Sequence, residues 1–172
     1  MDLENPAIKN GVFAGLAACG VVLLFYLANA RMVFTWASWI TTIIFIFFMV
    51  QSVKSEKAEA EFTSFNDALK PAFLTYVISN LLYIIFYYVL LNFIAPDLVE
   101  MQREIAMETI EKLAGIMGED SVEEGLEALE AHDFSFGLGT AAWSFAWGLI
   151  FPGFIVAAII ALIMKDNKPV AS

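Results

Sequence analysis

Residues 71–96 have the sequence PAFLTYVISNLLYIIFYYVLLNFIAP, which is 26 consecutive positions without an acidic or basic side chain. A helix rises about 1.5 Å per residue and needs about 20 residues to cross a hydrocarbon core of about 30 Å. Three other uncharged stretches, of 21, 22 and 31 residues, are also long enough: 10–30, 32–53 and 134–164. Because a helix satisfies its backbone hydrogen bonds internally, the sequence predicts four transmembrane helices.

The composition of the whole chain also indicates a protein in contact with lipid. Of its 172 residues, 60% are hydrophobic and 16% are charged, too oily a mixture for a soluble domain. The continuous apolar run from Ile43 to Val50 excludes the alternating pattern of a β-barrel. We therefore predict an all-α integral membrane protein, a four-transmembrane-helix bundle that forms a single membrane domain over 1–172, with helices near 8–30, 32–53, 67–95 and 135–164. Pro152 and Gly153 predict a kink in the last helix.

An insertion between the third and fourth helices, residues 97–133, carries the net charge of the protein. It contains twelve acidic and two basic residues, a net charge of −10 that equals that of the whole chain. Apolar residues recur within it at helical spacing: Leu98, Met101, Ile105, Ile110, Leu113 and Met117. Gly118 is typical of a helix end, and Ser121 with Glu124 matches a capping box that would begin a second helix. The pattern predicts an acidic extramembrane helical hairpin, which is either a solvated surface or a docking surface for a basic partner or divalent cations.

The basic residues indicate the orientation of the four helices. Six lie on the side of the termini and three on the opposite side: Lys9, Lys54, Lys57, Lys70, Lys165 and Lys168 against Arg31, Arg103 and Lys112. Since basic residues are enriched in cytoplasmic loops, we expect cytoplasmic termini and a hairpin on the opposite side. Four tryptophans near the ends of helices two and four favour a membrane interface there: Trp36, Trp39, Trp143 and Trp147.

Small residues spaced four apart occur in the first and fourth helices. Gly11 and Gly15 form one pair, and Gly153 and Ala157 form another. Such pairs let helix backbones approach closely. We favour packing within the chain, and a contact with a second copy or another membrane protein is the alternative.

A stripe of polar side chains lies along the third helix. Tyr76, Asn80, Tyr83 and Tyr87 share one helical face. An amide near the middle of a membrane is expected to bond a neighbouring helix, and Thr35, Ser38 and Thr42 of helix two are the candidates. We interpret the stripe as structural, with a pocket for a small ligand or lipid as the alternative.

No Asp, Glu, His, Lys or Arg lies inside any of the four uncharged stretches, and the chain has one histidine and one cysteine. Proton-coupled carriers and intramembrane proteases need such groups. We expect no enzymatic activity, catalytic residue, metal site or cofactor. We expect membrane lipid rather than nucleic acid as a partner.

The first functional hypothesis is a non-enzymatic structural or interaction component, and the alternative is an accessory or oligomeric transport or pore component.

Two segments of the chain resemble a known bacterial membrane-protein family, domain of unknown function 4199. The first is the opening ENPAIKNG at 4–11. The second surrounds helix three: residues 92–98 form its exit, and its entry contains Phe62, Ser64, Phe65, Ala68, Leu69 and Lys70. The resemblance covers nearly the whole chain and implies a four-helix protein of the bacterial inner membrane with a variable helical segment after helix three. With the orientation above, the termini would be cytoplasmic and the acidic hairpin periplasmic. The resemblance implies no activity for any residue.

Overall fold

A computed structural model describes residues 5–113, 116 and 118–166. Glu4, Met117 and Lys168, which enter the expectations above, lie outside the described residues. The helices are α1 (Pro6–Ala28), α2 (Met32–Thr35), α3 (Ala37–Glu59), α4 (Phe65–Val89), α5 (Leu98–Lys112), α6 (Glu119–Glu130), α7 (Leu138–Gly148) and α8 (Ile155–Met164). A π-helical segment, Leu90–Ile94, follows α4, and the segment Leu149–Phe154, which contains a kink, follows α7.

Four of these segments are long and apolar enough to cross a membrane. They are Pro6–Ala28, Ala37–Glu59, Phe65–Ile94 and Leu138–Met164, with 23, 23, 30 and 27 residues. The predictions of helical structure and of four membrane-length helices are thus confirmed, while the bundle and its insertion stay predictions.

The second predicted helix, 32–53, differs from the observed one at both ends. It is divided at Trp36, where φ is −112°, into the short α2 and the long α3. It also continues to Glu59, because charged side chains end an apolar stretch without ending the backbone hydrogen bonding of a helix. The prediction counted uncharged residues. It therefore gave the length of the apolar stretch, and the helix continues beyond that stretch.

The start of α1 is capped as its sequence favours. Asn5 Oδ1 accepts a hydrogen bond of 2.9 Å from the backbone N–H of Ala7, and Pro6 occupies the first turn. Proline suits this position because its missing N–H would have no partner within the helix.

The fourth apolar helix is broken where proline predicted a kink. Phe151 has φ −134° and ψ 118°, which is extended backbone between two helical segments, and the Phe151–Pro152 peptide bond is cis. Pro152 cannot donate to the preceding turn. The break separates α7 from α8.

The chain divides into two compact units. The first comprises Met1–Tyr87 and Ala142–Ser172, and the second comprises Tyr88–Ala141. The single membrane domain expected over 1–172 stays a prediction.

In the first unit, many small residues lie inside, and many large apolar residues lie outside. Among the described residues of this unit, seven alanines from four helices have no exposed surface: Ala14, Ala18, Ala37, Ala68, Ala72, Ala157 and Ala161. Many leucine, isoleucine, phenylalanine and tryptophan side chains are instead exposed, among them Leu24, Trp39, Ile43, Phe151 and Ile163. Alanine at the contacts lets the helix backbones approach closely.

The second unit contains α5 and α6, which contact each other. A Cβ built on Gly125 of α6 would lie 3.2 Å from Ile110 Cδ1 of α5. Asn92 Nδ2 donates to the backbone carbonyls of Tyr88 and Phe136, at 2.9 and 3.0 Å, and so joins the two ends of the unit.

The predicted capping box at the start of α6 is wrong. The helix begins at Glu119, whereas a cap at Ser121 would start it at Val122, three residues later, so Ser121 lies inside it. Gly118 precedes the helix with φ +84°, a conformation that glycine adopts without the steric cost of a Cβ. The backbone turn at Gly118 therefore takes the place of a side-chain cap.

Candidate functional site

Hydroxyl groups join three helices in the interior of the first unit. Ser52 Oγ of α3 lies 2.6 Å from Thr75 Oγ1 of α4 and accepts a hydrogen bond of 3.0 Å from Asn10 Nδ2 of α1. Thr75 Oγ1 is also within bonding distance of the Ala7 carbonyl, at 3.2 Å. One α-turn later, Ser79 Oγ lies 3.1 Å from the Gly11 carbonyl. We name Asn10, Ser52, Thr75 and Ser79 the hydroxyl cluster.

A cavity of about 190 Å³ lies beside this cluster, between α3, α4 and the region of the helix break. Its walls are mainly apolar and aromatic, with a few neutral polar groups. The lining residues are Ser38, Thr41, Thr42, Phe45, Ile46, Met49, Tyr76, Asn80, Tyr83, Pro152 and Val156.

Two buried polar side chains of this lining lack hydrogen-bond partners. Asn80 is 6% exposed and Thr41 is 5% exposed. Neither Asn80 Nδ2 nor Thr41 Oγ1 has a partner within the part of the chain that the structure describes. Leaving a buried donor unpaired costs about 1–3 kcal/mol, so each such group requires an explanation, such as an ordered water, a bound molecule or a strained site.

The expected bond from the Asn80 amide N–H to helix two does not form. Thr42 Oγ1 donates to the Ser38 carbonyl at 2.8 Å, and Thr35 Oγ1 to the Arg31 carbonyl at 3.3 Å. These threonine hydroxyls donate within their own helical segment.

Three members of the predicted polar stripe line the cavity, and the fourth lies next to it along α4. The Phe45 ring packs edge-on against Tyr76 and Tyr83, with ring centroids 5.8 and 6.2 Å apart. Tyr87 stacks on Tyr83 at 5.8 Å. Tyr76, Asn80 and Tyr83 therefore face the cavity, and Tyr87 extends the aromatic wall.

The backbone at the helix break packs tightly against α4. A Cβ on Gly153 would lie 2.3 Å from Tyr76 Cε1, and one on Gly148 would lie 2.9 Å from Asn80 Nδ2. Ala157, one turn after Gly153, is fully buried. The pair Gly153 and Ala157 thus faces the interior of this unit.

The small pair in α1 also faces a helix of the same chain. A Cβ on Gly11 would lie 2.8 Å from Ile78 Cβ, and one on Gly15 would lie 2.8 Å from Leu82 Cβ. Both neighbours belong to α4, so α1 and α4 approach each other closely along this face.

A charged contact joins the end of α3 to the residue that follows α8. Lys57 Nζ forms an ion pair with Asp166 Oδ1 and donates to the Met164 carbonyl at 3.0 Å. Asp166 Oδ2 accepts from the Thr63 N–H at 2.9 Å. The bond from the Lys57 ammonium and the bond from Thr63 hold the pKa of Asp166 below its usual value of 3.8.

Several of these residues were missed by the reasoning from sequence. Ser52, Thr75 and Ser79 carry short hydroxyl side chains inside apolar stretches, where a polar group needs a partner. The four-residue spacing of Thr75 and Ser79 was the available signal. Thr41, which lies between Ser38 and Thr42, could not be distinguished from them without the rotation of α3.

No cluster of three or more metal-binding side chains of the His, Cys, Asp and Glu types occurs in 5–113, 116 and 118–166. His132 is exposed and packs edge-on against Phe134, with centroids 4.8 Å apart. The side chains that surround the cavity are neutral, and their chemistry suits hydrogen bonding and apolar contact.

Comparison with known proteins identifies one family and no individual relative. A family model described as Protein of unknown function (DUF4199) matches residues 9–166. No curated protein and no solved structure matches the chain.

Proposed function

This chain belongs to the DUF4199 family, whose function is unknown, and we propose that it is a non-enzymatic integral protein of the bacterial inner membrane with a structural or interaction role. The observation that carries the proposal is the distribution of side chains in the first unit. Many small and hydroxyl-bearing residues lie inside, while many large apolar side chains are exposed. Soluble monomers rarely expose contiguous apolar surface of this kind, whereas lipid covers it.

The tryptophans support the same placement. Trp36, Trp39, Trp143 and Trp147 are all exposed, and Trp143 stacks on Trp147 with centroids 6.5 Å apart. Tryptophan is enriched where the bilayer meets water, because its ring is apolar and its N–H is polar. We assign these residues to one interface, on the side opposite the termini.

The orientation follows from the basic residues, with the termini in the cytoplasm. Four crossings then place α5 and α6 in the periplasm as an acidic hairpin. The contact between Ile110 and Gly125 supports this pairing of the two helices.

A contact with another membrane component must use surface that the chain leaves open. The pairs Gly11 with Gly15 and Gly153 with Ala157 are covered by α4 or buried. An interaction therefore uses either the lipid-facing apolar surface or the acidic hairpin, with membrane lipid, a second copy or another membrane protein as partner.

Cysteine accessibility in intact cells tests the topology. Glu124→Cys and Glu59→Cys, each in a Cys19→Ala background, place one thiol at exposed positions on α6 and at the end of α3. An impermeant maleimide is expected to label the first variant alone. Labelling of the second alone would invert the orientation, and equal labelling of the two would contradict four crossings.

Mass determination in mild detergent tests self-association. Light scattering that gives a multiple of the 19.1 kDa chain mass supports a homo-oligomer. A protein mass of one chain would remove the homo-oligomer from the proposal and retain lipid or a different membrane protein as partner.

A transport or pore component is the second candidate, and the polar groups of the cavity favour it. Asn80, Thr41 and Ser38 would line part of a path completed by assembly. Vesicles containing the protein should then swell faster in a glycerol gradient than empty vesicles, and Asn80→Leu should slow the swelling. Equal swelling of loaded and empty vesicles would exclude this candidate for small neutral solutes.

A further inference from the structure

We propose that the cavity between α3, α4 and the helix break binds a neutral molecule of about one ring in size through a carbonyl oxygen. The proposal goes beyond the structural or interaction role and does not rest on it.

The first argument is the pair of unpartnered polar groups in the cavity wall. Asn80 and Thr41 are both more than nine-tenths buried, and Asn80 Nδ2 and Thr41 Oγ1 lack partners within the described residues. An amide N–H₂ donates only, and a hydroxyl also has a proton to donate. A molecule that accepts hydrogen bonds from both groups must therefore carry an acceptor atom, such as a neutral oxygen.

The charge of the surroundings decides which acceptor is suitable. None of the lining residues is acidic or basic. A carboxylate or phosphate bound here would lack a counter-charge in a low-dielectric site, at a large desolvation cost. A carbonyl group offers acceptor lone pairs without a net charge, so a ketone, quinone or ester fits the wall.

Size and shape limit the rest of the molecule. The volume of about 190 Å³ compares with about 150 Å³ for an apolar cavity that accepts benzene. Phe45, Tyr76 and Tyr83 form an aromatic wall with edge-to-face contacts. One substituted ring, or the carbonyl end of an acyl chain, fills such a space.

The approach to the cavity is through the apolar surface of the protein. Ile46, which lines it, is 37% exposed, and Thr42 of the same helix is exposed as well. A molecule dissolved in the bilayer would enter there. Two sources therefore supply the same chemistry: the ring carbonyl of a lipid-soluble quinone and the ester carbonyl of a membrane lipid.

Thermal unfolding of the purified full chain in detergent, with paired probes, tests the proposal. Duroquinone and durene share a tetramethylated ring, and only duroquinone carries carbonyl oxygens. Methyl decanoate and dodecane form the corresponding pair for an ester. We expect at least one carbonyl probe to raise the Tm more than its carbonyl-free partner does.

The variants assign this difference to the cavity. Thr41→Val removes the unpartnered hydroxyl with little change in shape, and should weaken binding of the active carbonyl probe about fivefold. Thr42→Val is the matched control, since Thr42 also lines the cavity but its hydroxyl already donates to the Ser38 carbonyl. Asn80→Leu should abolish the preference for the carbonyl probe.

Each outcome decides the proposal. An effect of duroquinone alone supports a quinone-type ring, an effect of methyl decanoate alone supports a lipid ester, and effects of both support a general carbonyl site. Equal Tm values with each probe and its carbonyl-free partner would overturn the proposal. So would a carbonyl effect that Thr41→Val and Thr42→Val reduce equally. If Asn80→Leu fails to fold, the threonine pair still gives the answer.

Discussion

Single hydroxyl groups carry much of the interhelical bonding in the first unit. Ser52 contacts both Asn10 and Thr75, so one side chain of α3 joins α1 and α4. In an apolar environment a hydroxyl finds no water, and a partner on a neighbouring helix takes its place.

Ser52→Ala is expected to destabilise the protein by about 0.6–1.7 kcal/mol, because it removes the bonds to two other helices. Unfolding by sodium dodecyl sulfate, followed by circular dichroism, measures the change. Ser55→Ala is the matched control, since the Ser55 hydroxyl bonds only to the Gln51 carbonyl of its own helix. Equal losses in the two variants would show that the cluster adds nothing beyond local helix bonding.

Stability at low pH depends on the ion pair between Lys57 and Asp166. The folded pKa of Asp166 lies below its usual 3.8. Its contribution is therefore complete above that usual value and is lost as the pH falls through the lowered folded pKa. We expect Asp166→Asn to reduce the Tm at pH 7.

The difference in Tm between wild type and Asp166→Asn should then shrink when the pH falls below about 3.8. Thermal unfolding from pH 7 to pH 2.5 provides the measurement. A difference that stays constant over this range would show that ionisation of Asp166 contributes nothing to stability.

At the scale of helices, close backbone approach determines which elements can be neighbours. Two glycines one turn apart in α1 lie against Ile78 and Leu82 of α4. The contact leaves no room for a methyl group at either position. Hydroxyl bonds from Thr75 and Ser79 to α1 carbonyls require the same short separation.

Gly15→Ala is expected to cost about 1–3 kcal/mol, since its Cβ would meet Leu82 at 2.8 Å. Gly20→Ala in the same helix is the control, because a Cβ there has no neighbour within 4 Å. Alanine favours a helix by about 1 kcal/mol over glycine, so this control should be neutral or stabilising. Detergent unfolding of both variants measures the contrast, and a Gly15→Ala protein as stable as wild type would refute the close contact.

The helix break is a second feature at this scale. Extended backbone at Phe151 interrupts the fourth apolar helix, and Gly148 and Gly153 on either side pack against Asn80 and Tyr76. The break therefore brings the α7–α8 backbone to the same part of α4 that lines the cavity.

At the scale of the whole molecule, charge and hydropathy are separated along the chain. The segment 97–133 carries a net charge of −10, while the remaining residues sum to zero. The first unit exposes large apolar side chains over four long helices. The proposed membrane placement would put the apolar surface in lipid and the acidic segment in water.

We expect membranes washed with alkaline carbonate or high salt to retain the protein, and detergent to release it. Carbonate removes proteins held by surface charge, whereas buried apolar helices keep an integral protein in the lipid. Immunoblotting of pellet and supernatant gives the result. Release by carbonate would contradict membrane insertion and the inner-membrane proposal with it.

Several features followed from sequence alone because they depend on local composition. Four uncharged stretches of sufficient length predicted the four apolar helices, and Pro152 predicted the break near Phe151. The resemblance to the family also held over nearly the whole chain. Backbone hydrogen bonding and hydropathy act over a few neighbouring residues, so a linear reading captures them.

Other features were decided only by the tertiary structure. Lys57 and Asp166 are 109 positions apart, and Ser52 and Asn10 are 42 apart. Helical spacing placed Asn80 on a polar face, and yet its expected partners on helix two bond within their own helical segment. Which polar groups meet depends on the rotation and separation of each helix. Those are set by glycine and alanine contacts between elements distant in the chain, and local sequence carries no measure of them.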